Sequence, residues 1–91
     1  MLTGKCGFIT GGMSGIGAAC VEACLKYGAT ITIFDRADDA AIQEYAAQKN
    51  GKVFGFHGDV TDSSAVEAGV KYAVEKMGKL DFAINSAGIG D

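Results

Sequence analysis

Four short apolar runs at nearly even intervals restrict the fold of this chain more than any other feature of its sequence. They occupy residues 5–10, 29–34, 52–57 and 80–85, and glycine, aspartate or asparagine closes each of them. Short runs of this kind, bounded by turn residues, are typical of buried strands. The sequence therefore predicts four strands.

The segments between the runs have helical periodicity. Residues 15–27 and 63–77 each carry apolar side chains at i, i+4, i+7, i+8 and i+11, positions that share one helix face. The predicted core faces are Ile16, Cys20, Ala23, Cys24 and Tyr27 in the first helix and Val66, Val70, Ala73, Val74 and Met77 in the third. A middle helix is predicted over residues 38–49, where the apolar pattern is weaker. The start of the third helix stays open, because residues 61–64 offer several caps and Ser64 with Glu67 fits a capping box.

The elements follow one another as β-α-β-α-β-α-β. Strands that alternate with helices form a parallel sheet with right-handed crossovers. We therefore predict an α/β fold in which residues 1–91 belong to a single domain, without a linker or a second domain among them.

Composition excludes several classes of protein. Hydrophobic residues make up 48% of the chain, which excludes wholesale disorder. A net charge of −3 gives no reason to expect nucleic acid or an anionic membrane as partner, and no apolar run is long enough to span a bilayer. The three cysteines are an odd number, so we expect reduced thiols in a cytoplasmic protein. We expect no metal site, because the cysteines and His57 would have to converge from three elements.

A glycine-rich segment, Thr10-Gly11-Gly12-Met13-Ser14-Gly15-Ile16-Gly17, joins the first strand to the first helix. A strand, a glycine turn and a helix N-terminus together form an anion site, since backbone N–H groups and the helix dipole favour a phosphate. Glycines allow the tight turn and the close approach of a pyrophosphate. The segment alone is also compatible with a turn that binds nothing. It is not a P-loop, because no Lys-Ser/Thr pair follows the glycines.

The other strand ends carry polar residues as well. Asp35 closes the second strand, where an acid accepts hydrogen bonds from the ribose of a dinucleotide. Asp59-Val60 follows the third strand, and Asn85-Ser86-Ala87-Gly88 ends the fourth. Open α/β sheets bind ligands at this carboxyl edge.

These segments together resemble the short-chain dehydrogenase/reductase family. Residues 10–17 resemble its TGxxxGxG signature, Asp59-Val60 its Asp-Val pair, and residues 85–88 its NNAG motif with serine at the second position. The resemblance runs from residue 5 to residue 89. It implies a Rossmann-type sheet in the strand order 3-2-1-4, a nicotinamide cofactor, and hydride transfer to or from a small alcohol or carbonyl substrate.

The resemblance also implies a role for individual residues. The glycine turn would surround the pyrophosphate, and Asp35 would bind the adenosine ribose. The Asp-Val pair would contact the adenine, and the end of the fourth strand would pass near the ribose on the nicotinamide side. The implied cofactor-binding residues are Gly11, Ser14, Gly15, Ile16, Gly17, Asp35, Asp59, Val60, Asn85, Ala87 and Gly88. Serine at position 86 still offers a hydroxyl, but it leaves open which side-chain contacts form there.

Charge favours NAD over NADP as the cofactor. Asp35 would repel the 2′-phosphate of NADP, and Ser14 is neutral where NADP-preferring members of the family often carry a basic residue. Arg36 is the opposing signal, because an arginine after the second strand can pair with a 2′-phosphate.

No catalytic residue is predicted within residues 1–91. The family's serine and Tyr-x-x-x-Lys pair belong to a later segment, and we expect Tyr45-Lys49 and Tyr72-Lys76 to lie on helices away from the carboxyl edge. We therefore expect the N-terminal part of a longer reductase. Its open fourth strand and thinly covered sheet face predict a homo-oligomer. The alternative is a non-catalytic NAD(P)-binding or oligomerisation module.

Overall fold

A computed structural model describes residues 1–86 of the chain. Seven elements alternate along it, and their bounds are β1 Cys6–Thr10, α1 Gly15–Lys26, β2 Thr30–Asp35, α2 Asp39–Ala47, β3 Val53–His57, α3 Ser63–Met77 and β4 Phe82–Asn85. The strands form one parallel sheet in the order β3-β2-β1-β4. The predicted fold class and strand order are confirmed.

The sheet separates two apolar layers of unequal size. On one face, α1 and α2 pack over the fully buried Ile9, Ile31 and Ile33 of the two central strands. On the other face α3 covers a smaller cluster around Phe8 and Phe34. Because every crossover returns the chain to the amino side of the sheet, all four strand ends that carry polar residues meet at one edge.

The predicted helix faces were partly wrong. In α1 the buried residues are Gly17, Val21 and Cys24, whereas Ile16 is 50% exposed and Tyr27 is 49% exposed. The buried face is displaced by about one residue from the predicted face. The helix approaches the sheet most closely at Gly17, and a count of apolar residues does not include glycine.

The same error affects α3, where Gly69 and Ala73 are buried and Val74 is exposed. A Cβ atom at Gly69 would meet the Phe34 ring at 2.7 Å, so this glycine lets the helix lie directly on the ring. The open question of the helix cap is answered by Asp62, whose carboxylate accepts hydrogen bonds from the backbone of Ser64 and Ala65.

Among the helices of residues 1–86, none is both long and apolar enough to cross a membrane. The same residues contain no group of three or more histidine, cysteine or acidic side chains placed to hold a metal ion.

Candidate functional site

The glycine-rich turn between β1 and α1 depends on backbone conformations that glycine adopts most easily. Gly11 has φ 68° and Gly15 has φ 58°, both in the left-handed region. The N–H of Gly11 donates to the carbonyl of Phe34 at 2.8 Å, which fastens the turn to the end of β2. The turn is therefore held against the sheet at its start and reverses direction at both glycines.

The N-terminus of α1 differs from that of α3 in how it is capped. Ser14 is the N-cap residue of α1, yet its side chain makes no capping hydrogen bond, and the first turn carries no acidic residue. In α3, by contrast, the Asp62 side chain takes two of the first N–H groups. The first N–H groups of α1 thus receive no capping side chain, and together with the helix dipole they favour the binding of an anion.

Gly17 brings the first turn of α1 into direct contact with the ends of β1 and β4. A Cβ atom at this position would overlap the carbonyl oxygen of Gly11 and the hydroxyl of Ser86. The Ser86 side chain is 1% exposed, and its hydroxyl donates to the carbonyl of Thr10. Sequence reasoning missed this packing role of Ser86; the only signal was a small residue where the family motif has asparagine.

Asp35 is held by two backbone N–H groups from different loops. Its Oδ2 accepts from the N–H of Met13 at 2.9 Å, and its Oδ1 accepts from the N–H of Ala37 at 2.8 Å. The first bond joins the end of β2 directly to the glycine turn. A carboxylate has about four acceptor positions, so two are left for a ligand's hydroxyl groups.

Asp59 and Val60 follow β3 and lie beside the groove described below. The Oδ1 atom of Asp59 accepts from the backbone N–H of Thr61 at 2.9 Å and from the Thr61 hydroxyl at 2.8 Å. These bonds, with a smaller contribution from the nearby Arg36 charge, lower the pKa of the Asp59 carboxyl. Val60 is 38% exposed, so an apolar surface stands next to a fixed carboxylate.

Asn85 ends β4 opposite Thr10 of β1, and its Oδ1 accepts a hydrogen bond from the Thr10 hydroxyl at 2.7 Å. Both residues line an open groove of about 330 Å³ between α3 and β4. The remaining lining residues are apolar: Phe8, Val60, Val66, Val70, Ala83 and Ile84.

The structure thus brings most of the expected site residues to one edge. The contacts above connect Gly11, Gly17 and Asp35 around the glycine turn. Asn85 joins this group through its hydrogen bond with Thr10. Ile16 is exposed next to the turn. Ala87 and Gly88 lie outside the described residues.

The two Tyr-Lys pairs lie outside this group of residues, and Lys49 follows the end of α2, where a helical position was predicted. The Tyr45 hydroxyl donates to Glu22 of α1, and Lys49 forms a 2.9 Å ion pair with the same carboxylate. Burial and this contact raise the pKa of Tyr45. Tyr72 packs on the Phe56 ring, with 5.3 Å between ring centroids. Both pairs connect elements of the scaffold and are remote from the glycine turn.

Comparison with known proteins decides the family. A family model of short chain dehydrogenases matches residues 5–91. The chain belongs to the short-chain dehydrogenase family. Its membership confirms the resemblance inferred from the three sequence motifs.

Relatives within the short-chain dehydrogenase family include plant proteins. The chain is 41% identical over 97% of its length to short-chain dehydrogenase reductase 3b of Arabidopsis thaliana, and 42% identical over 97% to tropinone reductase-like 2 of Erythroxylum coca. It covers 34% and 32% of these two proteins, so it spans about a third of the length of the curated relatives it matches.

A solved structure of a reductase shares the fold of this chain. The 3-ketoacyl-(acyl-carrier-protein) reductase from Brucella melitensis, crystallised in complex with NADH, is similar with a TM-score of 0.83 and 32% identity. The match covers 91% of this chain and 34% of the reductase. The described residues therefore share the fold of about a third of that reductase.

Proposed function

We propose that this chain is the NAD-binding part of an NAD-dependent short-chain oxidoreductase. The observation that carries the proposal is the Asp35 carboxylate, held beside the glycine turn by the Met13 N–H at 2.9 Å. This arrangement places an acceptor for ribose hydroxyls next to an anion site at a helix N-terminus.

Each part of the site has a proposed role toward the cofactor. The backbone around Gly11, Ser14, Gly15, Ile16 and Gly17 binds the pyrophosphate. Asp35 accepts hydrogen bonds from the adenosine ribose. A fit of the adenine is supported by the exposed Val60 surface beside the Asp59 carboxylate, whose pKa is lowered by hydrogen bonds from Thr61. Asn85, with Ala87 and Gly88, serves the ribose on the nicotinamide side.

The choice of NAD over NADP rests on charge. In the proposed binding mode the Asp35 carboxylate would face a 2′-phosphate, and like charges at short range repel. Arg36, the residue that could reverse this preference, lies close enough to Asp59 to lower the pKa of its carboxyl. That position supports an electrostatic interaction of Arg36 with Asp59 in place of one with a 2′-phosphate.

The bound nicotinamide would accept or donate the hydride, with an alcohol or carbonyl compound as substrate. Tyr27 is the C-cap residue of α1, the Tyr45 hydroxyl donates to Glu22, and Tyr72 packs on the Phe56 ring, so we assign none of them a proton-transfer role. We propose that residues 1–91 belong to the N-terminal part of one dinucleotide-binding domain. A cytoplasmic homo-oligomer completes the proposal.

Parallel titrations with NADH and NADPH test the cofactor assignment. The chain should bind NADH more tightly than NADPH, and Asp35→Ala should narrow the difference because it removes both the ribose acceptor and the repulsion. Hydrogen bonds to a charged group contribute about 1.5–3 kcal/mol, so NADH affinity should fall roughly tenfold or more. Asp38→Ala is the matched control, because this exposed carboxylate makes no side-chain cap to α2.

Tighter binding of NADPH by the unsubstituted chain would contradict the assignment and would indicate that Arg36 determines the choice of cofactor. Equal losses of NADH binding in Asp35→Ala and Asp38→Ala would show that only general charge matters. A far-ultraviolet circular dichroism spectrum of each variant verifies that it folds.

A second candidate, a non-catalytic dinucleotide-binding module that self-associates, is supported by the surface of β4. Ala83 and Asn85 are exposed beside the apolar groove. Light scattering beside an NADH absorbance assay on alcohols and ketones separates the candidates. Stable self-association without turnover in the longest protein that contains this chain would favour the module.

A further inference from the structure

His57, the last residue of β3, is tied to the loop that follows β2. It pairs in register with Asp35 on the neighbouring strand. Its Nδ1 atom lies 2.7 Å from the carbonyl oxygen of Ala37. A carbonyl oxygen only accepts hydrogen bonds, so the Nδ1 atom must carry the proton and donate it.

Ala37 is thereby held on both sides. Its carbonyl accepts from His57, and its N–H donates to Oδ1 of Asp35 at 2.8 Å. The N–H of Gly58, which follows His57, donates to the backbone carbonyl of Asp35 at 2.9 Å. These three hydrogen bonds close a ring through Asp35, Ala37, His57 and Gly58.

Only one of the two bonds to the Asp35 carboxylate depends on this ring. Oδ2 is held by Met13 of the glycine turn, whereas Oδ1 is held by Ala37, in an exposed loop between β2 and α2. Without a partner for its carbonyl, the loop would lose its direct hydrogen bond to the end of β3. The carboxylate would then keep its charge and its Oδ2 contact but could rotate about that contact.

Building on the proposed function, we propose that His57 is a positioning residue for Asp35 and raises selectivity for a dinucleotide with a free 2′-hydroxyl. His57 acts through Ala37 and does not itself touch the cofactor. Acceptance of two ribose hydroxyls requires a fixed carboxylate orientation, because hydrogen bonds weaken steeply with angle. Repulsion of a 2′-phosphate depends mainly on charge and distance, so it survives the rotation.

The test compares three substitutions that differ in whether the side chain has a donor and in how far that donor lies from the backbone. His57→Leu removes the donor. His57→Asn places its Nδ2 atom at the same number of bonds from the backbone as the Nδ1 atom of histidine, whereas His57→Gln places its donor farther out. The dissociation constants for NADH and NADPH are measured by fluorescence titration of each 91-residue variant, with circular dichroism as the check on folding.

His57→Leu should weaken NADH binding about threefold to tenfold, the range of one net hydrogen bond, and change NADPH binding less. His57→Asn should restore most of the NADH affinity, and His57→Gln should not. In an Asp35→Ala background, His57→Leu should have no further effect on NADH binding, because its target carboxylate is gone. If His57→Leu does not fold, the Asn and Gln variants carry the comparison.

Unchanged NADH affinity in His57→Leu would overturn the inference, and so would an equal loss of NADH and NADPH affinity. A full effect of His57→Leu in the Asp35→Ala background would do the same. In each of these cases the unsubstituted chain still binds NADH and the proposed function stands. Failure of the folded, unsubstituted chain to bind either dinucleotide would instead overturn the proposed function and this inference with it.

Discussion

The two ends of the sheet use their charged residues differently. At the carboxyl end, Asp35 and Asp59 accept hydrogen bonds from N–H groups of neighbouring loops. At the amino end the acids take part in ion pairs: Lys49 pairs with Glu22 at 2.9 Å, and Lys79 pairs at 3.2 Å with Asp81, which also accepts from the backbone N–H of Cys6. These are the ion pairs found within residues 1–86, and both lie near the amino ends of strands.

This difference explains why only one end is suited to a ligand. A carboxylate that accepts backbone N–H bonds and has no ion-pair partner is fixed in orientation but keeps acceptor positions and its negative charge. A carboxylate in an ion pair is neutralised by its partner, and such exposed pairs contribute only about 0–1 kcal/mol to stability. Substitutions at the carboxyl end should therefore change binding, and those at the amino end should change stability alone.

The largest effect is expected for Gly17→Ala at the carboxyl end. The new Cβ atom would overlap the carbonyl of Gly11 and the hydroxyl of Ser86, so the turn must move. Overpacking of this kind costs about 1–3 kcal/mol. We expect lower stability in urea unfolding and loss of detectable NADH binding by the folded fraction.

Gly4→Ala is the matched control at the amino end. Gly4 has φ 80°, and a Cβ atom there would meet nothing within 4 Å. The left-handed conformation alone should cost about 1–2 kcal/mol, with an unchanged dissociation constant for NADH. A comparable loss of NADH binding in Gly4→Ala would show that the two ends are not independent.

A smaller effect, on stability alone, is expected for Tyr45→Phe. This substitution removes the hydroxyl that donates to Glu22 and leaves the ring in place. A net hydrogen bond contributes about 0.5–1.5 kcal/mol, and the exposed position of Glu22 favours the lower part of that range. Urea unfolding measures the loss. A change in NADH affinity in Tyr45→Phe would indicate that this pair communicates with the site.

The smallest effect concerns acid stability at the amino end. The backbone N–H of Cys6 donates to the Asp81 carboxylate at 2.8 Å, and together with Lys79 it lowers the pKa of that carboxyl. A carboxyl whose pKa is lower in the folded state stabilises the fold above its unfolded pKa of about 4, and this stability is lost as the pH falls further.

Urea unfolding between pH 7 and pH 3 should therefore show a weaker acid dependence in Asp81→Asn than in the unsubstituted chain. Asp59→Asn, at the opposite end, should also weaken the acid dependence, because Thr61 lowers the pKa of the Asp59 carboxyl. Only Asp59→Asn should also alter NADH affinity at pH 7. An acid dependence unaltered by Asp81→Asn would contradict the role of the Cys6 bond.

Local sequence was sufficient for the strands and the glycine turn, whereas the strand order followed from the family resemblance. The apolar runs predicted the four strands to within two residues at each end, because a buried strand needs few residues and turn residues bound it. The helix faces were less predictable. Gly17 and Gly69 determine them through contacts with residues distant in sequence, which periodicity does not include.

The site divides in the same way. Asp35, Asp59 and Asn85 could be recognised at the strand ends because each strand end follows from the alternation of elements. The bond from Met13 to Asp35 could not, since Met13 reaches the carboxylate only after β1, β2 and the connecting turn are in place. The bond from Ala37 is local, because the two residues are two positions apart. Like the Met13 bond, the packing of Ser86 and the bond from His57 to Ala37 join segments that are far apart in the sequence.

The sequence by itself determined which residue types stand at the carboxyl edge, because strand periodicity and turn chemistry act over a few neighbouring residues. Only the tertiary structure decided how those residues are oriented. Hydrogen bonds require donor and acceptor within about 3 Å and nearly aligned, and that geometry exists only once the strands are paired in register. For Asp35 this distinction separates an acid at a strand end from a fixed acceptor beside the glycine turn.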